Sequence, residues 1–141
     1  MIIADSEIDK ILNINLTEEY WIFQLGVGYI YENSPSNARF FLPYNEYGFK
    51  FWNLINYEIH EFLCVDSKPK EWVKELIEGD VRNLIVGILS AITAKYEIGL
   101  GIAIPIVALV IKKDLKDYCC LNFPRRKVID IKDVVKNNRI R

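Results

Sequence analysis

Residues Tyr20 to Tyr31, YWIFQLGVGYIY, decide the fold class, because they obey two periodicities at once. The odd positions, Trp21, Phe23, Leu25, Val27, Tyr29 and Tyr31, are all large and apolar, the alternation of a half-buried strand with Gly26 and Gly28 on its other face. Read as a helix, the stretch starts at Thr17 with Glu18 and Glu19 in its first turn and sets Leu16, Tyr20, Phe23 and Val27 on one side. Two glycines inside a helix cost about 1 kcal/mol each relative to alanine, so the strand is preferred.

Outward from that stretch, Asn33 to Asn37 (NSPSN) is dense in turn formers, and Ala38 to Leu42 supplies a return arm that Pro43 stops. The stretch PYNEYG then reads as a loop. Beyond it Phe51, Trp52, Ile55, Ile59, Phe62 and Leu63 recur at helical spacing. Asp66 or Ser67 caps a helix carrying Pro69, Trp72, Val73, Leu76 and Ile77, and Asp80 caps another through Leu84, Ile85, Ile88, Leu89 and Ile92. After the turn Glu97 to Gly101, a last helix runs from Ile102 to about Tyr118, with Pro105 near its start. On the N-terminal side, Ile8, Ile11 and Leu12 share one face of a short helix capped at Asp5 or Ser6. The expected fold is α+β: an aromatic hairpin over residues 20 to 42 packed on four helices, the last two an apolar pair. An all-α domain is the alternative, if residues 16 to 31 are helical.

With 141 residues and a sequence half hydrophobic, a single compact domain over residues 1 to 123 can bury one core. Residues 124 to 141 form a basic tail, with Arg125, Arg126, Lys127, Lys132, Lys136, Arg139 and Arg141 against Asp130 and Asp133. Such a tail meets phosphates, an acidic partner or the acidic body of its own chain. A sequence pI near 5.9 and the lack of a base-reading motif disfavour nucleic acid as the partner. The N-terminus lacks the basic stretch of a secretory signal, and an odd count of three cysteines argues against a disulfide framework, so a reducing cytoplasm is expected. Between Asn83 and Ile111 the only charges are Lys95 and Glu97. A spanning helix needs about 20 apolar residues, and each uncharged run here is shorter. The apolar pair 81 to 111 is therefore expected as a core hairpin, with a membrane-associated protein acting through it as the alternative function.

Chemistry has few carriers. His60 is the single histidine, and its spacing to Cys64 sets imidazole and thiol one helical turn apart, a base and a nucleophile with Glu61 beside them. No sequence signature supplies an oxyanion hole or orienting group, so this is not expected to be a catalytic site. Adjacent Cys119 and Cys120 do not match zinc-ligand spacing, and neither a dinucleotide fingerprint nor a phosphate-binding loop is present, so no metal and no cofactor is expected. What stands out is aromatic load: fifteen of eighteen aromatic residues lie between Tyr20 and Trp72. Trp21, Tyr29, Tyr31, Phe40, Phe41, Tyr44, Tyr47 and Trp52 exceed what one small core is expected to absorb, and surplus rings form contact hot spots. The function expected from the sequence is a non-enzymatic interaction module, a small subunit or regulator, with a protein partner or a second copy of itself as the other half.

Overall fold

A computed structural model describes residues 3–33, 43–65, 80–112, 118–119 and 129–136. Among these there are six α-helices and no strand: α1 (Asp5–Leu12), α2 (Glu18–Asn33), α3 (Tyr44–His60), α4 (Val81–Tyr96), α5 (Leu100–Lys112) and α6 (Ile131–Lys136), with a wider π turn, Glu61–Val65, continuing α3. The α+β expectation is thereby corrected to all-α. The hairpin fails at its first arm, since Tyr20 to Tyr31 is the body of α2. Its second arm, Ala38 to Leu42, lies outside the described residues, as does the helix expected around Trp72.

The physical reason is in the alternation itself. Six apolar residues spaced by two are also two rows spaced by four, and a helix separates the rows. Trp21, Leu25 and Tyr29 are buried, while Phe23, Val27 and Tyr31 lie on the outer side. Thr17 opens the helix by accepting the N–H of Tyr20 on its hydroxyl at 3.2 Å, and Glu18 and Glu19 complement the positive end of the helix dipole.

The two glycines that argued against a helix are what allow its packing. A methyl group added at Gly26 would stand 1.9 Å from the Tyr44 carbonyl oxygen and 2.9 Å from the Gly48 nitrogen; one added at Gly48 would stand 1.9 Å from the Ile22 oxygen. α2 and α3 thus cross with backbone against backbone. On another side of α2, a methyl at Gly28 would stand 2.3 Å from the Gly101 oxygen in α5. Pro105 has no N–H to offer that carbonyl four residues before it, so the oxygen is turned toward the neighbouring helix at no cost in intrahelical bonding. Close approach of a glycine Cα–H to a carbonyl adds a weak attraction to each crossing.

The remaining elements close around this pair. Leu84, Ile85, Ile88, Leu89 and Ile92 of α4 are buried as the periodicity predicts, and Asp80 caps the helix by accepting the Arg82 N–H at 2.9 Å. The chain leaves α4 through Glu97, which adopts a left-handed conformation (φ 52°) and binds Lys132 through its carboxylate. Every residue from Ile102 to Val110 in α5 is buried. No helix of the described residues is long and apolar enough to cross a membrane. α1 docks by Ile8 and Ile11, and Arg82 bridges to it, donating to Asp9 at 2.8 Å with Asp5 3.7 Å away; the Asp9 hydrogen bond raises the arginine's pKa further. Part of the basic tail belongs to the same body, because Ile131, Val134 and Val135 of α6 are buried and α6 packs on α2.

The helix crossings make a test whose sign separates packing from propensity. In an open helix, replacing glycine by alanine stabilises by up to about 1 kcal/mol. Gly26→Ala and Gly48→Ala should instead destabilise by about 1–3 kcal/mol, the cost of overpacking. Gly101→Ala, whose added methyl meets nothing within 4 Å, should be neutral or stabilising. Urea midpoints at constant m-value read all three.

Candidate functional site

The fold sorts the aromatic candidates. Trp21, Tyr29 and Trp52 are buried, so the chain's own core absorbs three rings that were expected to be surplus. Tyr29 lies against Phe51, with ring centroids 5.0 Å apart, and stacks on Tyr47 at 6.4 Å. Tyr44 and Tyr47 are half-buried, and Tyr44 meets the edge of Phe23 at 5.4 Å. Tyr31 remains 52% exposed. Phe40 and Phe41, and Arg125, Arg126 and Lys127 of the tail, lie outside the described residues.

Three rings on α2 and α3 are exposed to solvent. Phe23 at 37% and Tyr31 at 52% flank half-buried Val27 along the outer row of α2, and Phe49 on α3 is 59% exposed. Phe23, Val27 and Phe49 were not among the candidates read from the sequence. The signal for the first two was the i, i+4, i+8 spacing, hidden inside the strand-like alternation.

A cleft of about 290 Å³ opens between α1, α2 and α5. Its floor is apolar, made by Leu100, Ile104 and Pro105, and its wall is the Tyr20 and Trp21 pair, which meet edge to face at 4.9 Å. Gln24, Glu7 and Lys10 form the rim, the last two as an ion pair at 3.7 Å. Trp21 is 2% exposed, and its Nε1 is buried with no hydrogen-bond acceptor among the described residues. Leaving such a donor unmatched costs about 1–3 kcal/mol, so it is a group to be explained.

The His60 and Cys64 pair does not form a nucleophile and base, because Cys64 is bonded to Cys119 in a disulfide with a Cα–Cα distance of 5.3 Å. A sulfur held in that bond is no thiolate. This also corrects the expectation of reduced thiols, since Cys64 and Cys119 pair; Cys120 lies outside the described residues. His60, 7% exposed, packs edge to face on Tyr118 at 5.5 Å. Tyr118 donates its hydroxyl to Asn56 Oδ1 at 2.7 Å, and Ile129 N–H donates to Glu58 Oε1 at 3.0 Å, so this corner joins α3 to the chain leading into α6. Glu61 stands half-buried on the π turn. Among the described residues no three His, Cys, Asp or Glu side chains come together as a metal site.

No protein-family model matches the chain, and no curated protein or solved structure matches it either. The geometry alone therefore carries the functional reading.

Two measurements probe the disulfide corner. The bond joins residues 55 positions apart, and closing a loop of that length restricts the unfolded chain by roughly 4 kcal/mol in the chain-entropy treatment. Cys64→Ser or Cys119→Ser, or addition of a reductant, should therefore lower unfolding free energy by about 2–4 kcal/mol, read from urea midpoints with and without reductant. Burial, with Tyr96 adding to it, raises the pKa of Tyr118 above the ordinary phenol value of about 10. The folded state holds that proton more tightly than the unfolded state, so the stability contribution is complete below about pH 10 and drains away as the pH rises beyond it. Tyr118→Phe should be less stable near neutrality and lose stability less steeply in alkali.

Proposed function

We propose that this chain is a non-enzymatic association module that pairs with a second copy of itself through the outer row of α2. The observation that carries this reading is the row itself: Phe23, Val27 and Tyr31, with two rings exposed on either side of a central aliphatic residue. Phe23 and Tyr31 each lie one helical turn, about 6 Å, from Val27. A two-fold axis at Val27 then sets each Phe23 against the Tyr31 of the other copy, the self-complementarity that a symmetric dimer requires. Tyr44, in contact with Phe23, broadens the surface, and aromatic residues at the centre of such a patch supply most of the binding energy.

α2 suits this role because its other sides are already fixed by α3 and α5. A helix held by backbone contacts presents its outer row without further ordering cost, which favours association. The Cys64–Cys119 bond is of the kind that persists in an oxidising compartment, which weighs against the reducing cytoplasm expected from the sequence.

Light-scattering-coupled gel filtration in detergent-free buffer tests the proposal. The expected mass is twice the 16.5 kDa of one chain at tens of micromolar, falling to one chain in the Phe23→Glu/Tyr31→Glu double variant with its far-ultraviolet circular dichroism unchanged. A wild-type protein that elutes as a monomer throughout that range, or a double variant that still dimerises, would rule the α2 row out.

A further inference from the structure

We infer that the partner's Tyr31 seats in the cleft between α1, α2 and α5, so that each copy fills the cleft of the other. The inference rests on the symmetric pairing through α2 proposed above, and names the surface that this pairing uses beyond the row. Area asks for such an extension. The exposed parts of Phe23, Val27 and Tyr31 fall well short of the roughly 800 Å² that each partner of a stable pair buries.

Helical positions say where the extension lies. At about 100° and 1.5 Å per residue, Tyr31 is turned about 40° to one side of Val27 and stands about 6 Å along the helix from it. Gln24 and Tyr20 are turned about 60° and about 20° to that same side, at about 4.5 Å and about 10.5 Å in the other direction along the helix. Phe23 is turned about 40° to the opposite side. A two-fold axis that sets two copies of α2 antiparallel across Val27 reverses direction along the helix but keeps each residue on its own side of the pair. The partner's Tyr31 therefore arrives about 6 Å from the axis, between the levels of Gln24 and Tyr20 and on their side. Gln24 and Tyr20 belong to the α2 wall of the cleft.

The cleft suits the ring that reaches it. Its volume of about 290 Å³ has room for about ten non-hydrogen atoms, enough for the phenol of one tyrosine. Leu100, Ile104 and Pro105 make an apolar floor for the ring, while Gln24 and Glu7 at the rim offer acceptors to the hydroxyl. Tyr31 is 52% exposed on its own chain, so its ring has surface to bury in a second copy.

Gly101 supplies a blocking variant. It lines the cleft, and a side chain grown from it meets nothing within 4 Å, so Gly101→Leu fills the seat without disturbing its own chain. The full-length protein with p-azidophenylalanine in place of Tyr31 is mixed with isotopically labelled wild type, irradiated, digested and read by mass spectrometry. Labelled peptides from residues 20–24 or 100–105 should hold the cross-link. Gly101→Leu should weaken dimerisation at least about ten-fold by sedimentation equilibrium, with its circular dichroism unchanged, whereas Tyr31→Phe keeps the ring and should stay within about three-fold. Mixed dimers that cross-link only elsewhere or not at all, or a Gly101→Leu protein that pairs as tightly as the wild type, overturn the seat and leave the α2 row standing. A wild-type protein that is monomeric at tens of micromolar overturns both.

Discussion

The rest of the structure depends on α2 being approached by two other backbones, at Gly26 by α3 and at Gly28 by α5. Neither contact tolerates a β-carbon as the helices stand. Close packing at such crossings leaves large side chains free to fill the layers on either side. Trp21, Leu25 and Tyr29 occupy that space, and Phe51, Ile55 and Trp52 answer them from α3. An aromatic load that looks excessive for a small core is accommodated because the main chains come together where there are no side chains at all.

With its inner sides committed in this way, α2 turns its remaining side outward, where Phe23, Val27 and Tyr31 lie. The corner at His60, by contrast, is a structural joint. Its disulfide, the Tyr118 hydroxyl and the Glu58 carboxylate bind α3 to segments far along the chain. Polar groups there hold the fold together, whereas the exposed row Phe23, Val27 and Tyr31 of α2 presents rings and an aliphatic side chain.

Much of the helical layout was legible in the sequence, for reasons that can be named. α4 announced itself through Asp80 and an unbroken i, i+3, i+4 pattern, and both cap and buried face are as read. The core helix through Phe51, Ile55 and Ile59 was also legible, although it begins at Tyr44 inside the stretch read as a loop. α2 was misread because spacing by two contains spacing by four, and because glycine was weighed by its propensity alone. Propensity describes an isolated helix, while the gain at Gly26 and Gly28 comes from partners distant in sequence. The same limit hid the Cys64–Cys119 bond, for cysteine number cannot reveal which thiols meet in space. The cleft was illegible because its residues come from three helices and only packing brings them together.

One feature of the layout governs how the chain must acquire its structure. Arg82 reaches back 73 positions to Asp9, Gly101 completes the seat of Gly28, and α6 closes on α2 only after residue 131. Helices form in about a microsecond, but here their mutual contacts close large loops, and the entropy of those closures slows folding relative to a bundle of sequential neighbours. During synthesis α3 follows α2 directly and covers Tyr29 with Tyr47 and Phe51, whereas the side of α2 at Gly28 stays open until α5 has emerged. The nascent protein thus passes through an interval in which the side of α2 that α5 will cover is unprotected, and shielding by a chaperone matters most in that interval.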